Sequence, residues 1–204
     1  MLSINNCEDE MKYKIYKIKE IFGPTLQGEG YLVGTPCVFL RFADCNLSCE
    51  FCDTDFDGGE YMSATAILTA LDKYKGNVKW LVITGGEPLM QLDSLLINAL
   101  RSNGWLINLE TNGMYRLPQP VDHISFSPKV QRHSIILEYC DSLKILWPDT
   151  LNLLKDFMDY PATHKFIQPI DRGLGFDKNV IDVVYTMRGD WRLSPQLHKL
   201  IGVK

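Results

Sequence analysis

The chain has 204 residues, 46% of them hydrophobic and 23% charged, with a formal net charge of −4. That supports one hydrophobic core, so a single domain over residues 1–204 is expected. No apolar run approaches bilayer length and no basic block invites a polyanion, so neither a membrane nor a nucleic acid is expected as a direct partner. Residues 1–14 are polar, lack the apolar stretch of a signal peptide, and are expected to fray. Six cysteines without a secretion signal fit a reducing cytoplasm, where thiols serve metal binding or catalysis before disulfides.

Residues 15–22 read as a first strand, which Gly23-Pro24 is expected to stop. Leu26, Gln27, Gly28, Glu29 and Gly30 then form a polar, glycine-rich loop. Residues 36–42 make a second strand that runs straight into Cys45, Cys49 and Cys52. Ser63 reads as the N-cap of a helix to residue 74, with Ala66, Ile67, Ala70 and Leu71 on one face and Gly76 behind it. Residues 80–83 are a continuous apolar run, as a buried parallel strand should be. Thr84-Gly85-Gly86-Glu87-Pro88 follows, then a helix from about residue 91 to 102 with Gly104 in the C′ role. Residues 105–109 are a strand ending in Glu110-Thr111-Asn112-Gly113. Residues 124–126 lead into Ser127-Pro128-Lys129, and residues 143–146 into a helix capped by Asp149 and reaching residue 160. Residues 165–167 end in Gln168, Pro169, Ile170 and Asp171. A helix over 178–187, a short strand over 191–193 and a tail over 195–204 complete the chain.

This alternation predicts an α/β fold with a largely parallel sheet. The polar motifs all follow apolar strands, and in such folds ligands bind at the carboxyl ends of strands. The cysteines carry the sharpest chemistry. At C-x3-C-x2-C spacing, Cys45, Cys49 and Cys52 can hold three corners of an iron–sulfur cube and leave one iron open. A structural zinc would want a fourth ligand, and the nearest histidine is His123. Cys37 and Cys140 read as small buried hydrophobes and Cys7 as part of the N-terminal tail. His123, His133 and His164 carry no motif; Trp80, Trp105 and Trp147 read as core. The glycines of the 84–88 segment allow close backbone approach to a ligand, and Glu87 can accept from an ammonium group.

C-x3-C-x2-C with GGEP resembles the radical S-adenosylmethionine (SAM) superfamily. Within it, Leu26-Gln27-Gly28-Glu29-Gly30, Arg41-Phe42, Cys52-Asp53-Thr54, ETNG, SPK, QP and the terminal LSPQLHKLIG are similar to the 7-carboxy-7-deazaguanine synthase family, over nearly the whole chain. The resemblance implies a radical SAM lyase that contracts 6-carboxy-5,6,7,8-tetrahydropterin to 7-carboxy-7-deazaguanine with loss of ammonia. Its cofactors would be a [4Fe–4S] cluster, SAM and Mg2+. Cys45, Cys49 and Cys52 would hold the cluster and Thr54 would meet Mg2+, with Asp53 and Asp55 as flanking candidates by charge. Gly86, Glu87, Ser127, Pro128, Lys129, Gln168, Pro169, Ile170 and Asp171 would contact SAM. Leu26, Gln27, Gly28, Glu29, Arg41, Thr84, His198 and Lys204 would contact the pterin, and no protein group beyond the cluster and SAM would be catalytic.

The cysteine spacing is the plain superfamily one, whereas some members of this family insert a segment between the first two cysteines. The chain is also short for a full (β/α)8 barrel of about 250 residues. An incomplete, TIM-like β/α barrel is therefore expected, with a homodimer as a way to cover its edge. The resemblance further implies a flavodoxin or ferredoxin as electron donor. Two other readings stand beside this one: an activating enzyme for a glycyl radical, and a non-catalytic iron–sulfur module.

Overall fold

A computed structural model describes residues 10–170, 177–187, 189 and 191–204. Its strands follow the order β3-β1-β2-β4-β5-β6-β7-β8-β9 in one sheet, where β1 is Ile15–Leu26, β2 Pro36–Phe42, β3 Glu60–Ser63 and β4 Trp80–Gly85. β5 is Leu106–Thr111, β6 His123–Phe126, β7 Cys140–Trp147, β8 Ala162–Pro169 and β9 Trp191–Leu193. β2 with β4, β4 with β5, and β6 through β9 pair in parallel, while β3 runs antiparallel to β1. The expected α/β class with a largely parallel sheet is what the chain adopts. By packing it divides into two compact units, residues 1–25, 36–109 and 117–122 in the first, and 26–35, 110–116 and 123–204 in the second.

In the first unit the core comes from unbroken apolar strand runs. Val38, Leu40 and Phe42 of β2 and Leu81, Val82 and Ile83 of β4 are fully buried. Helix α1 (Ala64–Asp72) starts where Ser63 Oγ accepts from the Ala66 amide at 3.1 Å. It buries Ala64, Ile67 and Leu71, each large side chain contributing on the order of 1.5–3 kcal/mol. Helix α2 (Ser94–Ser102) begins later than predicted, because Asp93 caps it by accepting from the Leu96 amide. Residues 88–90 form a separate 3-10 turn instead. Gly104, at φ +87°, closes α2 with Gly104 N to Arg101 O and Trp105 N to Leu100 O, the paired bonds of a Schellman motif.

The second unit centres on Phe126, Phe157 and Tyr160, whose rings lie 5.1–5.6 Å apart in tilted and edge-on pairs. Asp149 does accept from the amides of Leu153 and Leu154, but the helix there, α3, is only Leu153–Asp156. Helix α4 is Asn179–Thr186, and the expected tail contains a further helix, α5, at Leu197–Ile201.

Several boundaries differ from those expected. β1 continues through Gly23-Pro24 to Leu26; its pairing with β3 ends at Ile18, so the amide that proline lacks is not needed for that ladder. Leu26, Gln168 and Pro169 thus end strands and do not start loops. Residues 10–13 form a helical turn closed by Lys14 N to Glu10 O, where fraying was expected. Cys7 and the rest of residues 1–9 lie outside the described residues. Among the described residues no helix is long and apolar enough to cross a membrane.

Candidate active site

In the first unit, parallel register sets Arg41 beside Thr84 and Phe42 beside Gly85, so β2 and β4 deliver the cysteine loop and the GGEP turn side by side. The junction is tightly fitted. A Cβ on Gly85, at φ +145°, would stand 2.2 Å from the Phe42 carbonyl oxygen, and one on Gly86 would stand 2.0 Å from the Asp44 carbonyl oxygen. These glycines are therefore required by the close approach of the turn to the segment that enters the cysteine loop. Glu87 N donates to Asp44 O at 3.1 Å, and the fully buried Glu87 carboxylate accepts from Leu89 N at 3.0 Å.

Asp44, at φ +69°, is one of two non-glycine residues in the left-handed region among the described residues. Besides the Glu87 bond, four contacts hold it and its neighbour there. Asp44 N donates to Phe56 O, the Lys17 ammonium donates to Asp44 Oδ1 at 2.7 Å, and Ala43 N donates to Lys17 O. Gln91 spans the same place, accepting from Lys17 N at 2.7 Å and donating to Ala43 O at 2.9 Å.

Beyond this fixed stem, Cys45 and Cys49 are half-buried and Cys52 is exposed. Burial pushes the Cys45 thiol above its ordinary pKa; the Leu47 amide opposes that, and the negative charges of Glu87, Cys49 and Cys52 add to the rise. Three thiols on one loop suit a soft, multi-iron centre, where coordination removes the proton outright. The donor set, three thiols on one short loop, fits a cube with each thiolate on its own iron.

Thr54 is half-buried and its carbonyl accepts from the Cys52 thiol at 3.6 Å. Asp55, the rival magnesium candidate, is paired with Lys19 at 2.7 Å, which holds its carboxyl below the usual range. Arg41 is mostly buried: Glu20 takes its Nε at 3.1 Å and its guanidinium lies 5.9 Å from the Phe22 ring centroid. Thr84 is buried beside it.

In the second unit the polar loop after β1 is pinned on every side. Gln27 is buried; its side-chain amide donates to Glu110 at 2.9 Å and accepts from Glu29 N. A Cβ on Gly28 would fall 1.9 Å from His198 Nδ1, and Gly28 O accepts from Leu197 N, so α5 packs directly on the loop. Glu29 pairs with the Lys144 ammonium and accepts from Gln196 Nε2 at 2.7 Å. Burial alone would raise its carboxyl, but Lys144, Gln196 and the charge of His198 outweigh that and hold it at about 2. Gly30 N donates to Ser194 Oγ at 2.8 Å, and that hydroxyl donates on to the buried Gln168. Tyr31 stacks on His164 at 4.1 Å and on His123 at 5.5 Å.

Of the expected SAM contacts in this unit, Lys129 Nζ donates to Ser127 Oγ at 2.6 Å, and Ser127 Oγ in turn reaches Lys144 O. Ile170 N is held by Trp147 O next to Pro169, and Asp171 lies outside the described residues. Lys204 is exposed. The ETNG turn is built by its own side chains: Thr111 Oγ1 accepts from Gly113 N and Asn112 Oδ1 from Met114 N. Glu110, Ser194 and Gln196 stand in the ETNG and LSPQLHKLIG motifs but had no role assigned from sequence, and Lys144 was not singled out. Lys144 was detectable there, because a lysine inside the apolar run Leu143-Lys144-Ile145 is rarely buried unless paired.

Residues 40–154 match the family model of the radical SAM superfamily. A 7-carboxy-7-deazaguanine synthase from Bacteroides thetaiotaomicron is 38% identical, over 92% of this chain and 98% of its own length. The chain belongs to the 7-carboxy-7-deazaguanine synthase family. A synthase of the same name from Neisseria meningitidis serogroup B is 32% identical, and all of each chain is covered. The crystal structure of QueE from Escherichia coli superposes with a TM-score of 0.76 at 25% identity, covering 94% of this chain and 98% of that one. The fold is accordingly the incomplete TIM-like β/α barrel type of radical SAM enzymes. This 7-carboxy-7-deazaguanine synthase family member is an enzyme whose cofactors are a [4Fe–4S] cluster, SAM and Mg2+. Full-length likeness to synthases leaves neither the glycyl-radical activator nor the non-catalytic module with a supporting observation.

Proposed function

We propose that this chain catalyses the Mg2+-dependent ring contraction of 6-carboxy-5,6,7,8-tetrahydropterin to 7-carboxy-7-deazaguanine, with release of ammonia. The observation that carries the reading is the C-x3-C-x2-C loop seated on the GGEP turn in a chain that matches a synthase of that name over 92% of its length. When bound, the reduced cluster and SAM supply a 5′-deoxyadenosyl radical, and the chain's own residues bind, orient and shield.

Cys45, Cys49 and Cys52 ligate the cluster, and the fixed Asp44 backbone aims Cys45. Gly86 allows the turn that faces SAM, while Glu87 holds that turn through Leu89 N. Ser127, Pro128, Lys129, Gln168, Pro169 and Ile170 are the SAM contacts of the second unit. Arg41 offers the fork edge of its guanidinium to the substrate carboxylate, with Glu20 setting the plane from the Nε side. Gln27 and Gly28 shape the loop that meets the pterin, Glu29 accepts from its aminopyrimidine N–H groups, and His198 closes over Gly28. Thr54 would hold Mg2+ together with substrate oxygens, and the ion would supply a template for the substrate. The enzyme works in the cytoplasm as a homodimer, taking electrons from a flavodoxin or ferredoxin.

The test is anaerobic purification, reconstitution with iron and sulfide, and assay with SAM, reductant, Mg2+ and the carboxytetrahydropterin. The expected result is 7-carboxy-7-deazaguanine and ammonia in equal amounts. SAM cleavage without that product would retain the superfamily and sink the substrate.

A further inference from the structure

The Glu29 carboxylate is the least ordinary charge in the second unit. Its side chain is 16% exposed and its partner, the Lys144 side chain, is 13% exposed. Lys144 sits on β7, whose backbone is fixed in register on both sides, Ser142 against Ser125 of β6 and Lys144 against Phe166 of β8. Ser127 Oγ also donates to the Lys144 carbonyl at 3.0 Å. The ammonium is therefore presented by a rigid strand, while Glu29 rides on a loop. Gln196 completes the set from the residue before α5, and Lys199 Nζ holds the Gln196 amide oxygen at 2.8 Å, which leaves the amide NH2 to face Glu29.

Among the described residues each Glu29 oxygen accepts one bond, Oε2 from Lys144 and Oε1 from Gln196. A carboxylate has about four lone-pair positions, so among the described residues about two acceptor positions remain, one on each oxygen. That pattern matches a planar ligand edge with two adjacent N–H donors and mismatches an edge with a carbonyl. We propose that Lys144 is a positioning residue that keeps Glu29 as an ionised, two-oxygen acceptor and thereby selects ligands by a paired N–H edge. This rests on the pterin reading, whose aminopyrimidine supplies such an edge. Among the described residues the charged or titratable groups that face Glu29 are Lys144 from β7 and His198 from α5, with Lys199 acting through Gln196. Without Lys144, a mostly buried carboxylate faces desolvation with no strand-borne cation and takes up a proton, turning one acceptor into a donor.

The experiment compares wild type, Lys144→Met and the double variant Glu29→Gln/Lys144→Met. In the reconstituted enzyme, Lys144→Met should raise the pterin KM roughly 10- to 100-fold, the worth of hydrogen bonds to a charged group, with a smaller change in kcat. That KM should fall as pH rises through the neutral range, where the wild-type value is flat.

The second arm needs no substrate: Tm of the protein against pH. In wild type the Glu29 contribution is fully present above its ordinary value of 4.5 and is lost as pH falls toward about 2. In Lys144→Met the sign reverses, so Tm falls as pH rises above 4.5, and the double variant shows neither slope. Should Lys144→Met fail to fold, folding of the double variant supports the proposal, and failure of both overturns it. A wild-type KM and flat profile in Lys144→Met, or an unreversed Tm slope, also overturns it. Absence of pterin turnover by wild type sinks the substrate reading alone, because the Tm arm still tests the pair.

Discussion

Replacing Gly86 by Ala should disconnect the cysteine loop from its support. The added Cβ would lie 2.0 Å from Asp44 O, 2.5 Å from Asp44 C and 2.7 Å from Cys45 Cβ, none of which is the free end of a flexible side chain. A carbon next to a carbonyl oxygen is tolerated at about 3.3 Å, against the 2.0 Å here, so the Asp44–Cys45 backbone must retreat by more than about 1 Å. Overpacking of this kind costs about 1–3 kcal/mol, and loss of the Glu87 N to Asp44 O bond adds about 1 kcal/mol. For a chain of this size that is a Tm drop of roughly 4–16 °C. Cys45 moves with the backbone, so iron and sulfide content after anaerobic reconstitution should fall well below that of wild type. Gly76→Ala is the control: Gly76 has φ +82° but no atom within 4 Å of its added Cβ, so it should lose only about 1 kcal/mol and keep its iron. Full iron content and unchanged Tm in Gly86→Ala would show that the turn does not support the Asp44–Cys45 backbone.

Arg41→Lys should raise the pterin KM by roughly 10-fold or more while the protein still folds, because a point-charge ammonium replaces a planar fork and Glu20 no longer orients it; KM at fixed SAM checks this. Cys45→Ala should abolish both SAM cleavage and product while leaving far-ultraviolet circular dichroism unchanged, since the half-buried thiol contributes little packing. His123 is buried against Ser142 and its imidazole is held below its ordinary 6.5, chiefly by burial and further by His164, with Asp141 opposing. Its neutral form is favoured in the fold, so stability is full above 6.5 and declines as pH falls below that value. His123→Gln should remove that part of the acid sensitivity, read as Tm between pH 7 and 5; an identical slope in the variant would count against it.

The candidate cluster cysteines, the Ser63, Gly104 and Asp149 caps and the α/β class were legible in the chain because each rests on local chemistry. Thiol spacing, a serine ahead of an apolar period and unbroken aliphatic runs carry their meaning within a few residues. Strand β3 was not legible, since its Glu60-Tyr61-Met62-Ser63 is largely exposed and shows no alternation. The start of α2 was misplaced because Gln91 and Asp93 are both good near a helix end. Only their partners, Lys17 and Ala43 for one and the Leu96 amide for the other, separate a tertiary brace from a cap.

The division is clearest at the site. By itself the sequence determined which residues are chemically able to hold a cluster, a carboxylate or an ammonium, because that capacity is a property of side-chain type and spacing. Tertiary structure alone decided what each is committed to. Gly86 is glycine because Asp44 O occupies the place of its Cβ, and Glu87 caps a buried turn. Glu29 is committed to an ion pair because Lys144, 115 positions away, stands against it. Such commitments depend on distances between residues far apart in the chain, and no local pattern encodes a distance that only folding creates.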